Sequence, residues 1–186
     1  MIAVRRIFVG VHGSLGSLQA LRYAAAEARE RNAALVPVIA WVPPGGEMAE
    51  RSRPSPYLRQ IWREEARKRL FGAFEAGLGG LPDDLLVEPH VERGETGQVL
   101  VALADRPDDL IVIGTGQRGL LTRTLRRSVG RYCLAHAGCP VLAVPPTRLM
   151  NEMGGLRGRR LRRRASDIAS EAAGTSEPGR TRDGRF

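Results

Sequence analysis

Two stretches of this chain carry groups able to hold an anion. The first runs from His12 to Ser17 and follows the apolar run RRIFVGV, Arg5 to Val11. The second runs from Gly114 to Ser128 and follows DLIVIG; it contains Gly114, Gly116 and Gly119 among Arg118, Arg123, Arg126 and Arg127, with Arg131 just beyond. Backbone amides at the helix start opened by Ser128, together with the helix dipole, favour a phosphate, and the Ser128 hydroxyl adds a donor. A plain capping role for Ser128 is the simpler alternative. Other chemistries fit less well. Gly114, Gly116 and Gly119 spell G-x-G-x-x-G, but no Asp or Glu occurs from Leu110 to Asn151 to hold the ribose hydroxyls of a dinucleotide. A phosphate-binding P-loop is excluded because the sole lysine, Lys68, lies in a helical stretch. His12 ends a strand, yet no catalytic partner is identifiable beside it in sequence. Cys133 and Cys139, with His136 between them, are too few ligands for zinc; Cys133 falls on the apolar face of a helix, so a structural role is expected.

The elements that position these loops follow from hydrophobic periodicity. Arg5 to Val11 reads as a buried strand. Ser14 or Ser17 caps a helix with an apolar stripe of Leu18, Leu21, Ala25 and Ala28, leaving Gln19, Arg22, Arg29 and Glu30 to water. Ala34 to Val42 is a second strand, in which Pro37 argues for a strand start, a bulge or an edge. Residues 45–56, rich in Pro, Gly and Ser, read as a loop. A helix follows from about Tyr57 to Ala76, with Leu58, Ile61, Trp62, Ala66, Leu70, Ala73 and Phe74 at helical spacing, closed by Gly77, Gly79, Gly80 and Pro82. Leu85 to Val91 is a short strand, Thr96 to Ala104 a short helix, DLIVIG the fourth strand, Ser128 to His136 a helix and Pro140 to Val144 the last strand. The alternating order predicts an α/β fold: a parallel sheet covered by helices on both faces, with any ligand held outside the carboxyl ends of the strands. Trp41 and Trp62 read as core or interface residues, His90 and His136 as structural or exposed.

Composition agrees with one folded unit followed by a tail. The chain has 186 residues, 42% of them hydrophobic and 26% charged, with a net charge of +9. No apolar run approaches the length of a membrane-spanning helix, and no secretory leader is recognisable, so a cytoplasmic location is expected. More than half of the excess charge lies in residues 147–186, which contain RGRRLRRR, Arg157 to Arg164. Residues 1–146 are expected to fold and 147–186 to form a basic extension too polar to fold alone. Arg162 to Ser166, RRRAS, matches a basic-directed kinase acceptor site, a pattern that arises easily by chance in an arginine-rich chain.

The combination of VGVHGS with SLQALRYAAAEA, of DLIVIGTGQRG, and of SVGRYCLAHAGCPVLAVPP resembles the universal stress protein family over residues 3–146. The resemblance implies a five-stranded parallel sheet of order 3-2-1-4-5, Rossmann-like in architecture, and a homodimer paired through the last strand. It also implies that some members bind ATP, through G-x2-G-x9-G-[ST] after the fourth strand and an Asp at the end of the first strand that contacts adenine. Laid on this chain, the pattern begins at Gly114 and ends at Ser128; its second and third glycines fall on Gln117 and Arg127, and the Asp position is His12. Loss of two glycines is a steric change, and His12 cannot copy a carboxylate. Arg127, conversely, is an excellent phosphate ligand. The steric change weighs more than the electrostatic compensation, and the sequence leaves both a nucleotide-bound and a nucleotide-free version open.

In the nucleotide-binding version, adenine lies near Gly10, His12 and Ala40, and the phosphates of ATP, with Mg, near Gly114, Thr115, Arg127, Ser128 and Val129. The expected function is a stress-response regulatory or ligand-sensing module without catalytic turnover. The alternative is nucleic-acid or anionic-surface binding through the arginine-rich tail, without sequence-specific reading because no aromatic residue is interleaved. Slow ATP hydrolysis is the third reading; the HIGH-like and KMSKS-like motifs of related nucleotidyl transferases are absent from the sequence.

Overall fold

The structure, a computed structural model, describes residues 3–115 and 129–145. Strands β1 (Arg6–Gly10), β2 (Ala34–Trp41), β3 (His90–Arg93), β4 (Asp109–Gly114) and β5 (Val141–Val144) form one parallel sheet in the order β3-β2-β1-β4-β5. Between them run α1 (Leu15–Arg31), α2 (Gly46–Ser52), α3 (Pro56–Leu78), α4 (Thr96–Leu103) and α5 (Val129–His136). The α/β fold and strand order expected from the sequence are those observed.

Side chains alternate along each strand, so every central strand feeds two cores. Ile7, Val9, Leu35 and Val112 point to one face, where Leu21 and Ala25 of α1 and Leu70 and Phe74 of α3 cover them. Phe8, Val36, Val38 and Ile111 point to the other, against Leu100 of α4 and Cys133 of α5. Burial on both faces is the reason these strands read as unbroken apolar runs. Ser14, rather than Ser17, caps α1: its hydroxyl accepts from the Ser17 N–H at 3.3 Å. Asn32 closes the helix in the left-handed region at φ 51°. Ser55 caps α3 ahead of Pro56, and Gly79 ends it at φ 78°, the Pro-first, Gly-last arrangement that helix termini favour.

Three local expectations change. Residues 45–56 are not all loop, because α2 forms within them, entered through Gly45 and Gly46 at φ 87° and 84°. It is held by two ion pairs reaching other elements, Glu47 with Arg93 and Glu50 with Arg59. Pro37 marks neither a strand start, a bulge nor an edge; it lies inside β2, in register with Val9. Leu35 donates its N–H to Leu86 on the β3 side, and two residues on Pro37 faces the same way. There the ladder is interrupted between the isolated bridge Leu35–Val87 and the start of β3 at His90, so the missing donor costs no sheet hydrogen bond. The same interruption shifts the third strand from the expected Leu85–Val91 to His90–Arg93. Arg22 is exposed, as expected, and from the surface donates to the Gly77 and Ala76 carbonyls at the end of α3.

The amino ends of β1 and β4 are clamped by a charge pair. Asp109 is fully buried, and its carboxylate accepts from Arg6 Nε and Nη2, both at 2.8 Å, and from the Arg106 N–H at 2.9 Å. Arg6 also reaches Asp105 and lies 4.9 Å over the Phe8 ring. The paired carboxylates raise the pKa of Arg6 further, so it stays charged at any ordinary pH. Removing one partner of such a pair leaves an uncompensated buried charge. Arg6→Met is expected to lower unfolding free energy in urea by about 3–5 kcal/mol, and Arg6→Met with Asp109→Leu to recover most of that loss.

Candidate functional site

At the opposite, carboxyl end of the sheet the strands open into a cleft of about 770 Å³. Gly10, Ala40 and Gly114 form its floor at the ends of β1, β2 and β4; His12 and Ser14 stand on one wall, Glu95 and Gln98 on another, and Val129, Gly130 and Tyr132 of α5 close a third. A smaller depression of about 370 Å³ between α1 and α3, lined by Gly13, Lys68 and Gly72 among others, lacks this convergence of backbone amides.

Glycine is required on this floor. A Cβ built on Gly114 would fall 2.2 Å from the Gly16 carbonyl oxygen, because the first turn of α1 lies directly on the end of β4. A Cβ on Gly97 would stand 3.0 Å from the Tyr132 side chain, and one on Gly10 3.2 Å from Leu100. The close approaches bring the starts of α1, α4 and α5 to a single opening. The starts of α1 and α4 offer N–H groups with no partner inside their helices, and each points the positive end of its dipole into the cleft, while Val129 and Gly130 of α5 stand beside them.

His12 is held by its own backbone. Its N–H donates to Ser17 Oγ at 3.4 Å, and the Ser17 hydroxyl in turn donates to the Ser14 carbonyl at 2.9 Å. The ring faces the cleft, and burial pushes its pKa below the ordinary 6.5. A neutral imidazole with one donor and one acceptor nitrogen results at pH 7. Elsewhere, burial pushes the Cys133 thiol up to about 11, which leaves it an inert packing group.

The sequence-expected site residues are distributed as follows. Gly10, His12, Ala40, Gly114 and Val129 all line the cleft. Thr115 does not: its hydroxyl and its N–H both donate to the Val144 carbonyl, at 3.1 Å and 2.8 Å, which ties β4 to β5. Arg127 and Ser128 lie outside the described residues, as do Gly116, Gln117, Arg118, Gly119, Arg123, Arg126 and the whole tail beyond Pro145. Glu95, Gln98 and Tyr132 line the cleft without having been singled out from sequence. The signal was available, since a helix following a parallel strand starts at the carboxyl edge of the sheet. Among the described residues no three His, Cys, Asp or Glu side chains cluster as a metal site, and no helix is long and apolar enough to cross a membrane.

Two outcomes test this geometry. Gly114→Ala places a methyl group against backbone that cannot turn aside, and is expected to destabilise the protein by about 1–3 kcal/mol in thermal or urea unfolding. The His12 imidazole, followed by NMR, is expected to titrate below 6.5. The unfolded chain then takes up that proton before the folded one, so stability falls as pH drops from the ordinary value toward the folded one, and His12→Gln removes that part of the acid loss.

Comparison with known proteins agrees with this architecture. A universal stress protein in complex with cAMP is 27% identical, with 78% of this chain and 99% of that one aligned and a TM-score of 0.50. The universal stress protein UspA of Lactobacillus plantarum is 21% identical over 75% of this chain and 97% of its own, with a TM-score of 0.52. A hypothetical protein whose biochemical function was assigned from its structure is 18% identical over 79% and 99%, with a TM-score of 0.61. The last two likenesses establish the fold alone. Comparison with curated proteins yields no match. The universal stress protein family profile matches residues 3–145, nearly all of the segment built around the cleft, and the chain belongs to that family.

Proposed function

We propose that this protein is a stress-response regulator that senses an adenine nucleotide in the cleft at the carboxyl end of its sheet. The observation that carries the reading is the convergence of the α1 and α4 starts, with Val129 and Gly130 of α5, on a glycine floor beside His12. The amides at the start of α5 suit a phosphate group, whose charge the helix dipole stabilises. The opposite half, walled by Ala40, Val42 and His12, suits a flat heterocycle that needs apolar contact and one or two edge hydrogen bonds. The cAMP complex of the relative at 27% identity supports an adenine nucleotide as the class of ligand. ATP, carrying its own Mg²⁺, and an adenosine monophosphate are the two forms to compare, and the difference between them lies in how many phosphates the α5 side accepts.

The reading extends to the whole chain. Residues 1–146 form the sensing unit, residues 147–186 are a basic extension, and the protein works in the cytoplasm as a homodimer joined through β5, the strand at one end of the sheet. An edge strand with backbone groups on one side open to pairing supports that mode of assembly. Its function is occupancy-dependent signalling and involves no turnover of the ligand.

Equilibrium dialysis of the full chain with labelled ATP and Mg²⁺, AMP and cAMP tests the proposal. Saturable binding of at least one is expected, and absence of binding at millimolar nucleotide refutes it. Ala40→Phe, which puts a ring into the apolar half from a central strand, is expected to weaken binding by about tenfold or more, equivalent to about 1.4 kcal/mol. An unchanged affinity would show that the base lies elsewhere.

A further inference from the structure

Glu95 lines the cleft at the turn from β3 into α4. Gly94 follows β3 at φ +141°, a conformation that side-chain-bearing residues rarely adopt, and a Cβ there would stand 3.2 Å from Val99 Cγ2. Its N–H is fixed by the Trp41 carbonyl at 2.9 Å. Glu95 then occupies the N-cap position of α4, with its carbonyl accepting from the Val99 N–H at 3.0 Å, but its carboxylate makes no capping hydrogen bond to that helix. Glu is a poor N-cap, its chain being a methylene too long for the reach that Asp or Ser achieves. Glu95 is exposed and is one of the residues lining the cleft, with its side chain not used to cap its own helix.

This arrangement has a specific chemical complement. A carboxylate accepts hydrogen bonds only, while the uncapped amides of Gly97 and Gln98 and the Gln98 side-chain amide beside it can donate. A phosphate at this end would meet Glu95 as a like charge, which directs the anion to the start of α5. A ribose hydroxyl, which both donates and accepts, matches the carboxylate and the amides together. We infer that Glu95 reads the 2′-hydroxyl of the ribose, selecting ribonucleotides over 2′-deoxyribonucleotides and fixing the direction in which the nucleotide lies. The inference rests on the nucleotide reading above and adds the sugar class to it.

The test measures affinities of the full chain for AMP and 2′-deoxy-AMP, and for adenosine and 2′-deoxyadenosine, which remove the phosphate from the comparison. Wild-type protein is expected to favour the ribose form by about tenfold, the value of one hydrogen bond to a charged group. Glu95→Ala is expected to bring the two forms within about twofold of each other, whatever it does to the absolute affinity for a charged ligand. Glu95→Gln, which keeps size and an acceptor but loses charge, should fall between. Equal affinities in the wild type, or a ribose preference that survives Glu95→Ala, overturns the inference while leaving nucleotide binding intact. Loss of both ligands in both variants also overturns it, because Glu95 would then be shaping the cleft and not reading the sugar. If the wild type binds none of the four, ATP and 2′-deoxy-ATP are compared in the same way, and the nucleotide reading itself has failed if neither these nor cAMP bind.

Discussion

The cleft exists because backbone touches backbone at one point. With the Gly16 carbonyl lying where the Cβ of residue 114 would be, α1 can begin directly on the end of β4, and its start is drawn in between β1 and β4. Any side chain at 114 would push that turn outward and separate the helix starts. This is a packing constraint, and its consequence is electrostatic. N–H groups that a looser turn would leave facing bulk water are collected around a partly enclosed space, where each partial charge acts through a lower effective dielectric.

The ends of the sheet divide the work. At the amino end, the buried Asp109 carboxylate and Arg6 guanidinium are committed to each other and lock the register of β1 against β4. At the carboxyl end, polar groups are left uncommitted. Side-chain charges around the rest of the fold are likewise largely engaged, Arg29 with Asp84 and Arg93 with Glu47, and these pairs hold the Asp84 and Glu47 carboxyls below their ordinary range. Both pairs are solvent-exposed and contribute little to stability individually, but they tie the segments that carry the cleft walls. The Glu47–Arg93 pair is the clearest case, since it joins α2 to the last residue of β3, immediately before Gly94 and Glu95.

The fold was legible in sequence because both-sided burial writes a strong signal. DLIVIG, RIFVG and ALVPVIAW are apolar on both faces, and the helices between them repeat at helical spacing with recognisable caps. Where tertiary contacts override local composition, the sequence misleads. The segment containing α2 has the Pro, Gly and Ser content of a loop, and it is helical where Glu47 and Glu50 find arginines on other elements. Pro37 looked disruptive until the neighbouring strand proved to be interrupted opposite it. In the site, Gly10, His12, Ala40, Gly114 and Val129 were readable from the family resemblance, whereas Glu95 and Gln98 were signalled only by the topology, which puts the start of a helix that follows a parallel strand at the carboxyl edge of the sheet, and Tyr132 by its place one turn into α5. Thr115 shows the converse: its position suggested a ligand, and its hydroxyl is committed to β5.

On the nucleotide reading proposed above, His12 changes the groups the cleft offers a base where other members of the family carry an Asp. An ionised carboxylate at the end of β1 would only accept hydrogen bonds, and would add negative charge to a space whose helix starts favour anions. A neutral imidazole presents one donor and one acceptor and no charge. Glu95 then stands as the one carboxylate lining the cleft among the described residues, in a cleft that His12 also lines with its pKa lowered by burial. Polarity consequently increases along the cleft from the β1–β2 side to the α4 and α5 starts. A ligand with an apolar planar end, hydroxyls in the middle and an anion at the far end follows that gradient in one direction only, and it is the same gradient that Gly114 makes possible by letting α1 sit where it does.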